Sequence, residues 1–143
     1  MNQGTWFWPD VSDLDGAKDA AKYGEWCAYI IAALTMLAAT TVLYAGHLRA
    51  AAWLDFGQAL LFLVFGLGIS KYYRAAALLA FVVYFADKVY LFVKTGSIIS
   101  AGVFGTIFLL GLFNGIRGVF AYHKLSQEAA NTNLAPIAPD AAP

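Results

Sequence analysis

Asp87 and Lys88 interrupt AAALLAFVVYFADKVYLFVK, residues 75–94, a run otherwise apolar enough to cross a bilayer. A charge at membrane depth costs several kcal/mol unless it is paired or reaches the surface. Side chains one residue apart on a helix do not face each other. Asp87 and Lys88 are therefore not expected to pair, and Asp87 needs a partner elsewhere. A second apolar run carries Asp55 and Gln58 one turn apart on the same side. An Asp55 to Lys88 contact, with Gln58 and Tyr84 or Tyr90 as further hydrogen-bonding groups, would satisfy much of this set. Asp87 also shares a helical face with Tyr84, Tyr90 and Lys94. Three chemistries fit such a cluster: a structural polar clasp, a proton or ion site, or contact with a charged partner subunit.

Other reactive side chains are sparse. The single cysteine, Cys27, lies in an apolar run and reads as a small packing residue. The two histidines, His47 and His123, fall on opposite sides of the membrane in the topology derived below, so they cannot build one metal site. Each reads as an interfacial residue capping a helix or meeting headgroups. No Cys, His and carboxylate spacing suggests zinc or iron, and no nucleophile elbow or phosphate-cradling glycine loop is present. Neither metal, cofactor nor enzymatic activity is expected.

The elements that must hold these groups are membrane helices. Of 143 residues, 61% are hydrophobic and 13% charged, and nine basic side chains balance nine acidic ones. That composition describes an integral membrane protein and lacks the basic surface a nucleic acid requires. Spans are expected at residues 26–44, 51–70, 75–94 and 98–122. Each apolar stretch suffices for about 30 Å of hydrocarbon. Residues 1–25 form an N-terminal segment with aromatic Trp6, Phe7 and Trp8 suited to the headgroup layer. It leads with acids rather than the positive region of a secretory signal, so it is expected to remain on the mature protein. Within it, residues 12–23 read as a short interfacial helix capped by Ser12 or Asp10. Residues 123–143, rich in Ala, Pro and Asn, read as a disordered tail.

Short connections force the spans to alternate, giving an all-α antiparallel bundle of four transmembrane helices with a short N-terminal interfacial helix. Lys18, Lys22, Lys71, Arg74 and Lys124, with Arg117 nearby, share the side of the termini. Arg49 and Lys94, with Lys88 nearby, share the other. The positive-inside rule then places both termini in the cytoplasm. In the fourth span Gly111, Gly115 and Gly118 form a stripe that admits another helix closely, and Asn114 borders it. Arg117 is expected to pair with Glu25, to meet a lipid phosphate, or to snorkel.

The segment NGIRGVFAYHKL, Asn114 to Leu125, with the upstream ISKYYRAAALLAFVVYFADKV, resembles a group of small uncharacterised bacterial membrane proteins ending in an N/Q-G-x-R-G-x-F-A-Y-H-K pattern. Gly115, Arg117, Gly118, Phe120, Ala121, Tyr122, His123 and Lys124 match it, and Val119 stands where the pattern has threonine. The likeness covers the second to fourth spans. It implies a four-span membrane fold and a bacterial source, hence an expected place in the bacterial inner membrane, and it carries no activity.

Two functions remain. One is a non-catalytic subunit that packs with, and stabilises or helps assemble, a larger membrane complex, its partners being lipids and other integral membrane subunits. The alternative is a small oligomeric transporter or channel coupled to protons or ions through Asp55 or Asp87. Small multidrug exporters are similar in size, but their essential acid lies in the first span, where residues 26–44 hold none.

Overall fold

The computed structural model describes residues 8–45, 49–96 and 103–134. They form four helices, α1 (Leu14–Tyr44), α2 (Arg49–Ser70), α3 (Arg74–Thr95) and α4 (Val103–Leu134). Each is long and apolar enough to cross a membrane, so the chain is an all-α, multi-pass membrane protein. His47, Trp6, Phe7 and residues 135–143 lie outside the described residues, as do residues 97–102, the end of the expected α3–α4 turn and the start of the expected fourth span.

Two helix ends differ from expectation. The N-terminal segment does not make a separate helix: Asp13 caps α1, its Oδ1 accepting from the Gly16 amide at 2.7 Å, and α1 runs unbroken for 31 residues. The cause lies in its small residues. Ala17, Ala20, Ala21 and Gly24 are buried and continue the stripe of Ala28, Ile31, Ala32 and Ala39 toward the N-terminus. At the other extreme, α4 continues through His123 to Leu134 rather than ending in a disordered tail. Bonds from Ser126 to the His123 carbonyl and from Thr132 to the Glu128 carbonyl lie along this extension, as does a Lys124–Glu128 pair at i, i+4.

The helices form a ring in which α1 packs deeply against α2 and α4, and α3 closes the circle with shallower contacts to both. Phe62, Ile69, Leu112 and Val119 are the largest fully buried side chains. Close approach of α1 and α4 requires glycine. A Cβ on Gly24 would stand 2.5 Å from the Gly115 Cα, and one on Gly118 would stand 2.6 Å from the Ala17 carbonyl oxygen. Gly111 faces Cys27 in the same seam. The stripe Gly111, Gly115 and Gly118 is thus a helix-packing surface whose occupant is α1 of the same chain. It leaves nothing there for another subunit.

Between α2 and α3 the three-residue connection, residues 71–73, follows a Schellman pattern. The Tyr72 amide donates to the Ile69 carbonyl at 2.8 Å and the Tyr73 amide to the Gly68 carbonyl at 2.9 Å. The residue in the left-handed position, usually glycine, is Tyr72 at φ 59.

Candidate functional site

At the end of the bundle away from the termini, Lys88 Nζ donates to Asp87 Oδ2 at 3.0 Å, both side chains being about three-quarters covered. This corrects the expectation that adjacent residues cannot pair. Helical geometry separates their Cβ directions, but the four-carbon lysine stem swings back around the axis and brings the ammonium to the carboxylate. On its way it passes Gly105 of α4, where an added Cβ would meet Lys88 Cδ at 3.7 Å. The ammonium also lies 4.8 Å from the centroid of the Tyr84 ring. Tyr84 is buried, edge-on to Phe62 and Phe108.

Asp55 does not pair with Lys88. Phe62 against Tyr84, and Gly68 against Ala76, set the register of α2 and α3. In that register Gln58 is level with Asp87 and Lys88, and Asp55 lies about one turn further out, level with Tyr90 and Leu91. Both Asp55 and Gln58 are half-buried. Asp55 falls on the inward stripe of α2, in line with the buried Ala52, Ala59 and Phe62. The structure therefore gathers Tyr84, Asp87 and Lys88 into one cluster and sets Asp55 apart from the ion pair.

Near the termini, the Arg117 guanidinium stacks over the Trp8 ring at 3.9 Å and donates to Asn114 Oδ1 at 3.3 Å. Asn114 is buried. Trp8 in turn leans on Phe113. Glu25 is not the partner of Arg117, because Gly24 faces α4 and its neighbour Glu25 is rotated toward α2, beside Ile69 and Ser70. The N-terminal segment is held close by Gly16, where a side chain would strike the Asp10 carbonyl. Hydrogen bonds from Ser12, with a smaller pull from Arg117, hold the Asp10 carboxyl below its ordinary pKa.

One contact had no local signal in the sequence. His123 Nε2 lies 2.9 Å from the Tyr72 carbonyl oxygen. A carbonyl only accepts, so this nitrogen carries the proton. The Tyr72 ring stacks on Tyr122, centroids 4.0 Å apart and 15° from parallel. His123 thus ties the α2–α3 turn to α4, rather than capping its own helix.

Between these ends Ile31, Phe62, Phe65, Ala77, Ala80 and Leu112 belong to one continuous apolar core. Among the described residues no group of three or more His, Cys, Asp or Glu could hold a metal ion. Fold and site together define a four-helix integral membrane protein whose charged side chains gather at its two ends. No protein-family model matches the chain, and neither the curated proteins nor the solved structures give a match.

Proposed function

We propose that this chain is a non-catalytic small membrane subunit that packs with, and stabilises or helps assemble, a larger membrane complex. The observation that carries this reading is the unequal covering of the helices. Only 17% of the apolar window of α3 is buried, against 22% for α1 and 33% for α2 and α4. Its outward side presents Leu78, Leu79, Val82, Phe85, Val89, Phe92 and Val93. A packed apolar core between the charged ends also favours a structural role over conduction. The Asp87–Lys88 pair supports the clasp reading, since each charge meets its neutralising partner within the chain.

Lys18, Lys22, Lys71, Arg74, Arg117 and Lys124 at the terminal end favour a cytoplasmic location for both termini. Together with the C-terminal pattern from Gly115 to Lys124, this favours a bacterial inner membrane. Gentle extraction from the native membrane, followed by mass spectrometry of whatever migrates with the chain, tests the proposal. Recovery at fixed stoichiometry with a larger membrane complex is the expected result. A lone homo-oligomer would overturn it in favour of a transporter using Asp55 or Asp87, with flux through Asp55→Asn and Asp87→Asn variants as the deciding assay.

A further inference from the structure

A cleft of about 260 Å³ opens where the first turns of α1 meet the C-terminal end of α2. Lys18, Asp19, Lys22 and Glu25 line it from α1, and Ser70 and Tyr72 line it from α2 and the following turn. Two ammonium groups and two carboxylates therefore share one small space. Among the described residues Lys22 makes no ion pair, while Lys18 bonds Asp15 at 3.0 Å through an exposed contact that competes weakly with a multivalent anion.

The depth of the cleft is marked by exposed aromatic residues. Tyr23, Trp26 and Tyr73 ring this end of the bundle, as side chains do at the headgroup layer. Ile69 and Ser70, at the end of α2, line the inner side of the cleft. The Tyr29 hydroxyl stands beside Ser70 and Glu25 at the same level.

We propose that this cleft binds the headgroup of a phosphatidylethanolamine-type lipid, with phosphate on Lys22 and Lys18 and the primary ammonium on Glu25 and Asp19. A purely anionic headgroup would bring its charge against the two carboxylates. A quaternary ammonium would supply no hydrogen-bond donors to them. The site is thus selective for a group bearing phosphate and a primary amine together, and the acyl chains lie along the apolar flank of α1 and α2.

Native mass spectrometry of the full chain, loaded with dioleoyl lipids bearing ethanolamine, choline or glycerol headgroups, tests the assignment. The ethanolamine lipid is expected to be retained at least five-fold better than the other two. Lys22→Ala should lower that retention several-fold, and Glu25→Gln or Asp19→Asn should erase the preference over the glycerol lipid. Lys124→Ala, outside the cleft, should change neither. Equal or better retention of the glycerol lipid would overturn the proposal, and so would a preference unchanged by all three cleft variants. Water-soluble phosphoethanolamine at millimolar concentration should fail to displace the lipid; displacement would show that the ligand is the free zwitterion, and the lipid assignment would fall. Variants are compared only where circular dichroism shows native helix content. Retention reports on the cleft alone, so its outcome is independent of the subunit reading.

Discussion

Replacing Gly118 with alanine should be among the most damaging single-methyl changes in this chain. A Cβ there would stand 2.6 Å from the Ala17 carbonyl oxygen and 2.8 Å from the Ala20 carbonyl carbon, and would also press on the Ala21 amide. All are backbone atoms of α1, which cannot rotate aside as a side chain can. Ordinary contact begins near 3.4 Å, so α1 must retreat by at least about 0.8 Å to clear the Ala17 oxygen alone (3.4 − 2.6), and further to clear the nearer Ala21 amide. A retreat of that size forfeits roughly a quarter to a half of the dispersion energy along the facing seam. Overpacking of this kind costs about 1–3 kcal/mol, and the expected loss lies at the upper end because backbone is displaced. Gly24→Ala, opposite Gly115 at 2.5 Å, should behave alike. The control is Gly57→Ala, where nothing lies within 4 Å and the expected change is within about 0.5 kcal/mol. Unfolding in mixed micelles, followed by helix content against denaturing detergent, measures all three. Equal stability of Gly118→Ala and Gly57→Ala would refute the reasoning that α1 and α4 meet backbone to backbone.

Three further outcomes follow from the contacts at the two ends. Asp87→Asn and Lys88→Met should each destabilise the fold by about 1 kcal/mol with a clearly sub-additive double variant, whereas Asp55→Asn combined with Lys88→Met should be additive in the same unfolding assay. Tyr72→Ala removes the stack on Tyr122 but keeps the left-handed backbone, so it should be less stable than Tyr72→Gly by about 1 kcal/mol; equal stabilities would deny the strain at φ 59. The Asp10 carboxyl is held below its ordinary value of 3.8 in the folded chain. Its contribution is therefore present above that value and lost as pH falls through the lower folded pKa. Asp10→Asn should flatten this acid-side loss, read from the fluorescence of Trp8 on Arg117 with the other three tryptophans replaced by phenylalanine.

The four spans were legible because length and hydropathy alone decide them. Helix ends were not, since they depend on which face a neighbour covers. Ala17, Ala21, Gly24 and Cys27 repeat at the same three- and four-residue spacing as Gly111, Gly115 and Gly118. Matching the two stripes would have revealed both the continuous α1 and the occupant of the glycine seam. The Tyr84, Asp87 and Lys88 cluster was visible as a set, but the pairing was not. Side-chain reach decided in favour of Asp87, and a register fixed by Phe62 on Tyr84 carried Asp55 one turn too far out. The tie from His123 to the Tyr72 carbonyl joins residues far apart in the chain through a backbone atom, which no side-chain pattern announces.

The subunit proposal is tested most directly from α3 itself. A photo-crosslinking amino acid at Val82, in cells carrying the chain at its natural level, should yield one discrete adduct with a different membrane protein, and the same probe at Phe62, inside the bundle, should yield none. Adducts from Val82 to lipid alone, or to a second copy of this chain, would contradict the account.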